Sequence, residues 1–166
     1  DAIKGNITEE MISIAEIEKF DVNDIMKKVS KGEIVIMKRA DQNPVGIGFP
    51  LRTKINVNLG SSSITSNMEK ELEKVKIAQK YGADTISDLS MGDNIDEIRK
   101  KNLSDSTVPI TTVPIYQAVI EANSLSNISD DLIFSIIEKQ IRDGISSIVI
   151  HAGFTLEILN KMKKKE

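Results

Sequence analysis

The stretch KINVNLGSSSITSNMEKELEKVKIAQKYGADTISDL (residues 54–89) decides the fold class, because it contains a strand, a helix and a second strand in succession. The first strand is predicted over residues 54–59, and a glycine and three serines follow it. Apolar residues at helical spacing predict the helix over residues 66–80. Gly82 ends that helix, and residues 84–89 predict the second strand. A unit of this kind predicts a right-handed crossover and a parallel sheet.

The same alternation continues towards the C-terminus. Residues 108–113 (VPITTV) and 145–150 (ISSIVI) predict a third and a fourth strand. Further helices are predicted over residues 94–102, 114–122 and 130–142. The last of these helices has its core candidates at Leu132, Ile133, Ile136, Ile137 and Ile141. The phrases YGADTISD (81–88) and DGISSIVIH (143–151) are similar, since each joins a helix end, a glycine and a strand that ends in an ionisable side chain.

Residues 51–166 therefore predict an α/β fold that contains about the first half of a TIM-like (β/α)8 barrel. A full barrel needs about 250 residues, so we expect a truncated one. A half barrel leaves edge strands unpaired, which favours association, and we expect a homo-oligomer. The chain begins with Asp1 rather than methionine, and both of its ends resemble cuts in a longer polypeptide.

Residues 1–50 show no repeat character and predict a short helical segment ahead of the barrel. One helix is predicted over residues 7–20, with Thr8 as its N-cap. Asp21 is placed to cap a second helix. A short strand is predicted over residues 33–37, and the Pro- and Gly-containing stretch 41–50 is predicted to be a loop.

Charge and composition exclude several classes of protein. Lys and Arg total 22 and Asp and Glu total 25, which gives a formal net charge of −3. This balance offers no basic surface for nucleic acid, and no apolar run approaches the about 20 residues that cross a membrane. The N-terminus lacks the pattern of a secretory signal, so we expect a cytoplasmic protein.

The absence of cysteine limits the cofactors that these residues can hold. The sequence contains no Cys, so it forms no disulfide, iron–sulfur cluster or thiolate zinc site. His151 is the only histidine, so a metal site here would depend on carboxylates. We therefore expect neither a metal nor a cofactor to be bound by this chain's own residues.

Polar side chains lie at or just after the ends of the predicted strands. They are Asn58, Asp88, Tyr116 and His151. In proteins built from βα units, the carboxyl ends of the strands and the following loops form the active-site rim. We therefore expect these four residues to converge on one small-molecule site.

Each of these residues also has a structural interpretation. Asn58 can hydrogen-bond a ligand or the adjacent turn, and Asp88 can orient a substrate or cap the loop that follows it. Tyr116 can stack on a ring and donate a hydrogen bond, or it can simply be half-buried near a helix start. His151 is the strongest candidate, for proton transfer or for a hydrogen bond to a phosphate or a ring nitrogen. The glycine and serines of residues 60–63 resemble an anion-binding loop.

Five phrases occur together in an order and spacing that resemble one family, the phosphomethylpyrimidine synthases. They are KGNITEEM (4–11), LRTKINVNLGSSS (51–63), YGADTISDLSMGDNIDEIR (81–99), VPITTVPIYQAV (108–119) and ISSIVIHAG (145–153). The resemblance covers essentially the whole chain. It implies a (β/α)8 barrel enzyme of thiamine biosynthesis that rearranges aminoimidazole ribotide into hydroxymethylpyrimidine phosphate.

The resemblance also implies cofactors and substrate contacts. In the family, a [4Fe-4S] cluster cleaves S-adenosylmethionine to start a radical reaction, and a divalent metal, zinc, is bound in the full-length protein. The family's substrate contacts fall on Asn58, Tyr116 and His151 of this sequence. A further contact, usually Met, falls on Ser87. The imidazole ribotide is accordingly the expected small-molecule partner.

Parts of the family pattern are missing from these residues. The family's later strands, its two metal-binding His and its CxxCxxxxC cluster motif are not found here, so we expect the chain alone to be inactive. The first alternative is a short non-catalytic paralogue that binds a phosphorylated small molecule or a full-length partner. The second is an unrelated aldolase-like or isomerase-like barrel fragment that uses Lys54 or His151.

Overall fold

The computed structural model describes residues 1–39, 42–62, 67–92, 94–153 and 155–163. Its helices are α1 (Glu9–Glu18), α2 (Val22–Ser30), α3 (Met68–Lys80), α4 (Ile95–Asp105), α5 (Pro114–Ala122), α6 (Asp130–Asp143) and α7 (Leu156–Lys163). Its strands are β1 (Val35–Met37), β2 (Val45–Ile47), β3 (Asn56–Leu59), β4 (Thr85–Asp88), β5 (Ile110–Thr112) and β6 (Ser147–Ile148). Short 3-10 helices cover Ala2–Lys4 and Leu125–Asn127. No helix in this described part is long and apolar enough to cross a membrane.

The four C-terminal strands form one parallel sheet in the order β3-β4-β5-β6. Helix α3 connects β3 to β4, α4 connects β4 to β5, and α5 and α6 lie between β5 and β6. This arrangement confirms the predicted α/β fold with a parallel sheet. Within the described residues the sheet is open, with β3 and β6 as its edges, and no barrel closes.

The two faces of this sheet differ in chemistry because successive side chains of a strand point to opposite faces. The face that packs on the helices is largely apolar and belongs to one core cluster, with Leu59, Ile86 and Ile110 from the strands and Val75 and Leu103 from α3 and α4. The opposite face carries a polar row that crosses all four strands in register: Asn58, Ser87, Thr111 and Ser147.

The N-terminal segment has its own small core. Helices α1 and α2 pack with β1 and β2 around Met11, Ile14, Ile25, Ile34 and Leu51. Both predicted N-caps are confirmed. Thr8 Oγ1 accepts a hydrogen bond from Met11 N at 3.5 Å, and Asp21 Oδ1 accepts one from Asn23 N at 2.9 Å.

The prediction of a loop over residues 41–50 is wrong in part, because β2 lies within it. Residues Val45–Ile47 pair in antiparallel register with β1. Gly46 permits this placement, since a Cβ there would lie 2.7 Å from Leu51 Cδ1 and 3.0 Å from Ile14 Cγ2. The glycine that resembles a loop signal in the sequence is therefore needed for close packing of the hairpin on α1.

A second correction concerns the buried face of α6. Ile136 is buried as predicted, whereas Ile141 is 59% exposed and Gln140 is 2% exposed. Gln140 tolerates burial because its Oε1 accepts a hydrogen bond from Thr112 Oγ1 at 2.7 Å and its Nε2 donates to Gln117 Oε1 at 2.9 Å. A satisfied amide can occupy a core position that periodicity alone assigns to an apolar residue.

Arg99 of α4 is the largest buried polar side chain in this region, at 2% exposure. Its Nε donates to Asp143 Oδ2 at 3.0 Å, and its Nη1 donates to Gln117 Oε1 at 2.9 Å. Asp96 accepts a further, shorter hydrogen bond from Nη2. This guanidinium therefore joins α4, α5 and α6 on the helix side of the sheet.

Charged residues connect the N-terminal segment to the sheet at the amino ends of the strands. Glu18 of α1 is paired with Lys54, whose Nζ lies 2.7 Å from Glu18 Oε1. Asp84, just before β4, accepts hydrogen bonds from Arg52 Nη1 at 2.9 Å and from Ile55 N at 2.7 Å. Burial raises the pKa of Glu18 and of Asp84, but these hydrogen bonds and the adjacent cations outweigh it and hold each pKa below its ordinary value.

We expect Asp84→Asn to lower the free energy of unfolding by about 1–2 kcal/mol, because it removes an ion pair from a buried carboxylate whose partner Arg52 is partly exposed. Urea denaturation measures this change. The matched control is Glu138→Gln, which breaks an exposed pair with Arg142 and should cost about 0.5 kcal/mol or less. Equal losses in the two variants would contradict this account.

The lowered pKa values of Glu18 and Asp84 also predict an acid-sensitive stability. Because both carboxyls bind protons less readily in the folded state, their contribution is complete above their ordinary pKa values of 4.5 and 3.8. This contribution to stability declines once the pH falls below those ordinary values, and it is lost when the pH falls through the lowered pKa values of the folded state. Urea midpoints measured from neutral to acidic pH should decline less steeply in Asp84→Asn than in the unchanged chain, and parallel curves would refute the assignment.

Gly60, directly after β3, allows the loops after β3 and β4 to touch. Its φ is +150°, and a Cβ there would lie 2.6 Å from both Leu89 C and Ser90 N. We expect Gly60→Ala to destabilise the fold by about 1–3 kcal/mol, as seen by thermal or urea unfolding. Gly153→Ala is the matched control, since nothing lies within 4 Å of a Cβ at that position. A Gly60→Ala variant as stable as the control would disprove the close approach.

Candidate functional site

The polar face of the parallel sheet carries the candidate site near the carboxyl ends of its strands. Asn58 of β3 and Ser87 of β4 are register partners, and Ser87 in turn pairs with Thr111 of β5. Thr111 Oγ1 lies 2.6 Å from Ser147 Oγ of β6, so a hydroxyl hydrogen bond joins the last two strands. Amide and hydroxyl groups therefore follow one another across the sheet.

Asn56 lies two residues before Asn58 and therefore faces the same side of the sheet. Its Oδ1 accepts hydrogen bonds from Thr85 Oγ1 at 2.9 Å and from Ser87 Oγ at 3.1 Å. Its Nδ2 donates to Asn58 Oδ1 at 2.9 Å. The alternating sequence NVNL thus builds a hydrogen-bonded pair of amides on β3, tied to the hydroxyls of β4.

Tyr116 and His151 lie together after the neighbouring strands β5 and β6. Tyr116 is in the first turn of α5, which Pro114 begins, and His151 follows β6 by three residues. Their ring centroids are 6.1 Å apart and the ring planes are tilted by 31°. Tyr116 is half-buried and His151 is exposed, so both rings are available to a ligand.

The structure brings the site residues predicted from the sequence to one edge in two groups. Asn58 and Ser87 form one pair across β3 and β4, and Tyr116 and His151 form the other after β5 and β6. With about 4.8 Å between neighbouring strands, β3 and β6 are roughly 14 Å apart. A ligand that contacts Asn58 and His151 together must therefore extend across the sheet.

Asp88 does not belong to this site, and its predicted place on the rim is wrong. It is 5% exposed and faces the helix side, in register with Leu59 and Thr112. Its Oδ1 accepts a hydrogen bond from Ser90 N at 3.0 Å, and its Oδ2 accepts one from Asn102 Nδ2 at 3.0 Å. Asp88 follows Ser87 by one residue and so points to the opposite face, where it caps the loop after β4.

Two other predicted features are used within the fold. The Lys54 side chain is 8% exposed and is paired with Glu18 at the amino end of the sheet, away from the rim. In the anion-binding stretch, Ser61 N donates to Ser90 Oγ at 3.2 Å, so this amide contributes to the contact between two loops. Ser63 of the same stretch lies outside the described residues.

Sequence reasoning missed the supporting polar residues of the site. They are Asn56, Thr85, Thr111 and Ser147, and the structure places all of them on the polar face. Their signal in the sequence is the period of two: polar residues alternate with apolar ones in NVNL and TIS. In short strands this alternation identifies a solvent-facing or ligand-facing side.

The described residues do not fit a metal or an iron–sulfur cluster. No group of three or more His, Cys, Asp and Glu that could hold a metal ion is found among them, and the sequence contains no Cys. The site instead offers amide, hydroxyl, phenol and imidazole groups. Such groups recognise a ligand by hydrogen bonds and ring contacts.

Similarity to known proteins covers the whole chain. The model of the Radical SAM ThiC family matches residues 1–166. Phosphomethylpyrimidine synthase of Methanocaldococcus jannaschii is 44% identical over 170 residues, covering 99% of this chain and 40% of the relative. The synthase of Pyrococcus furiosus is 43% identical over 171 residues, with 99% and 40% covered. That of Thermoanaerobacter sp. is 43% identical over 169 residues, with 98% and 39% covered.

This chain spans about 40% of the length of the curated relatives that it matches. The matched residues include β3 to β6 and every residue of the candidate site. On the strength of the match to the family model from the first residue to the last, the chain belongs to the radical SAM ThiC family.

Proposed function

We propose that this chain is the N-terminal, substrate-binding part of a phosphomethylpyrimidine synthase, which converts aminoimidazole ribotide into hydroxymethylpyrimidine phosphate. One observation carries the proposal. The polar face of the sheet ends in Asn58, Tyr116 and His151, with Tyr116 and His151 in ring contact, and the family resemblance assigns substrate contacts to these three positions.

The open sheet supports the view that these strands are half of a TIM-like barrel. The four strands β3 to β6 are parallel, and successive strands are connected through helices, as in a (β/α)8 barrel. The polar row lies on the face away from the helices, which is the interior face of a barrel. The curated relatives are about two and a half times as long as this chain, which leaves enough sequence for further strands and a further domain.

The described side chains have separate tasks in this proposal. Asn58 hydrogen-bonds the substrate at one end of the site. Tyr116 and His151 hold the other end, where their rings contact a planar group and their polar atoms hydrogen-bond it. Ser87 replaces the Met that is usual in the family, so a hydroxyl that already donates to Asn56 stands where an apolar contact is expected.

The cofactors of the family come from outside these residues. S-adenosylmethionine and a [4Fe-4S] cluster supply the radical that begins the family's reaction, and the cluster needs thiolate ligands that this sequence lacks. The zinc site likewise needs ligands other than the single His of this chain. In this proposal the chain binds and orients the substrate, and it has no synthase activity alone. Cytoplasmic location and a homo-oligomeric state belong to the same proposal.

A second candidate is a non-catalytic paralogue that binds a phosphorylated ligand without turnover. Ser87 is the observation that favours it, because the substitution removes apolar contact area from the substrate site. The two candidates make the same prediction for ligand binding by Asn58 and His151. They differ in turnover by the full-length protein.

We expect the full-length protein, reconstituted with iron, sulfide and S-adenosylmethionine, to convert aminoimidazole ribotide into the pyrimidine phosphate. His151→Asn and Tyr116→Phe should each lower kcat/KM on the order of tenfold or more, because each removes a polar group from the substrate site. Chromatographic detection of the product measures the rate. Glu138→Gln, on the exposed face of α6, is the control and should retain full activity.

Three results separate the candidates. Turnover by this chain alone would refute its assignment as an incomplete part of the enzyme. Binding without turnover by the full-length protein would favour the paralogue. Neither binding nor turnover by a folded, fully reconstituted full-length protein would refute both candidates.

A further inference from the structure

Asn56, which is itself exposed, links side chains of two strands by hydrogen bonds, and the family resemblance assigns it no role. Its amide contacts three side chains: it accepts from Thr85 Oγ1 at 2.9 Å and from Ser87 Oγ at 3.1 Å, and it donates to Asn58 Oδ1 at 2.9 Å. All four residues lie on the polar face, on the adjacent strands β3 and β4. The amide of Asn56 therefore connects the hydroxyls of one strand to the site residue of the other.

The two hydroxyls determine which way the Asn56 amide points. Thr85 is 5% exposed and Ser87 is 8% exposed, so water can reach neither group freely. Within the described part of the chain, the Oδ1 of Asn56 is the only hydrogen-bond acceptor for either hydroxyl. Rotating the amide by a half-turn would direct Nδ2 at them and leave two buried hydroxyl hydrogens without an acceptor. That orientation is disfavoured because an unsatisfied buried donor costs about 1–3 kcal/mol.

The orientation of Asn56 in turn determines that of Asn58. Since Asn56 Nδ2 is a donor, it selects the oxygen of the Asn58 amide as its partner. The Nδ2 of Asn58 is then directed elsewhere, and it has no hydrogen-bond partner within the residues described. Asn58 is exposed on the open face, so this NH2 group is available to a ligand.

We propose that Asn56 is a positioning residue that fixes Asn58 as a hydrogen-bond donor, so that the site selects a ligand carrying an acceptor at this point. The inference rests on the proposed function, which makes Asn58 a substrate contact, and adds the direction of that contact. An imidazole ribonucleotide carries acceptors of three kinds: phosphate oxygens, ribose oxygens and an unprotonated ring nitrogen. A ligand with a donor at the same point would meet the NH2 group unfavourably and bind weakly.

A double-mutant cycle on the full-length protein tests the proposal, with affinity for aminoimidazole ribotide measured by isothermal titration calorimetry. Asn58→Ala should weaken binding about tenfold, since it removes one hydrogen bond to the ligand. Asn56→Asp keeps an acceptor for both hydroxyls but cannot donate, so Asn58 turns its oxygen towards the ligand. In the otherwise unchanged protein, Asn56→Asp should also weaken binding about tenfold. In the Asn58→Ala background, the same substitution should weaken binding by less than about twofold.

The controls test whether any Asn→Asp change weakens binding and whether the coupling persists without a new charge. Asn123→Asp makes the same chemical change at an exposed helix end of α5 and should leave the affinity within about twofold. Thr85→Val keeps the side-chain shape and removes one of the two hydroxyls that orient Asn56. It should weaken binding about threefold in the unchanged protein and have no effect in the Asn58→Ala background. If Asn56→Asp fails to fold, Thr85→Val provides an independent test of the coupling.

The outcomes are distinguishable. Coupling between positions 56 and 58 supports the proposal. If the coupling persists with the nucleoside, which lacks the phosphate, the acceptor belongs to the ribose or to the imidazole ring. Coupling only with the nucleotide assigns it to the phosphate. If Asn58→Ala weakens binding but the effect of Asn56→Asp is the same in both backgrounds, the positioning role is overturned and the proposed function stands. If Asn58→Ala leaves binding unchanged, both the positioning role of Asn56 and the proposed substrate contact of Asn58 are overturned.

Discussion

The alternation of side chains along four parallel strands is the constraint on which the rest of the structure depends. Leu59, Ile86 and Ile110 enter the core against the helices, while Asn58 and Ser87 face the open side. A shift of one residue in any strand would exchange these faces, placing amides in the core and isoleucines at the site. The apolar burial that stabilises the sheet therefore also fixes the register that assembles the polar row.

The two ends of the sheet have different roles. At the amino end, the Glu18–Lys54 pair and the Arg52–Asp84 pair connect the N-terminal segment to the strands. At the carboxyl end, the loops after β3 and β4 are in close contact at Gly60 and Ser90, and Asn58 and His151 are exposed. This division is typical of βα folds, in which stability depends on one end and ligand binding occurs at the other. Lysine at position 54 is accordingly a structural residue.

Local signals in the sequence predicted most of the fold, and the failures have physical causes. Helix α5 was predicted with its observed bounds because Pro114 marks its start. Strand β2 was missed because glycine is typical of loops, and only the structure shows that Gly46 packs closely on Ile14. Asp88 was assigned to the rim from its place at the strand end, although its spacing of two residues from the core residue Ile86 puts it on the helix side. The role of Asn56 was not predictable, since it depends on hydroxyls of another strand.

The measurement that tests the central claim most directly is a crystal structure of the full-length protein with bound aminoimidazole ribotide. The account predicts that the ligand lies on the polar face of the sheet, with Asn58, Tyr116 and His151 each within about 4 Å of it, and with Asn58 Nδ2 facing an acceptor atom. A ligand bound on the helix side of the sheet, or near Lys54 at the amino ends of the strands, would contradict it.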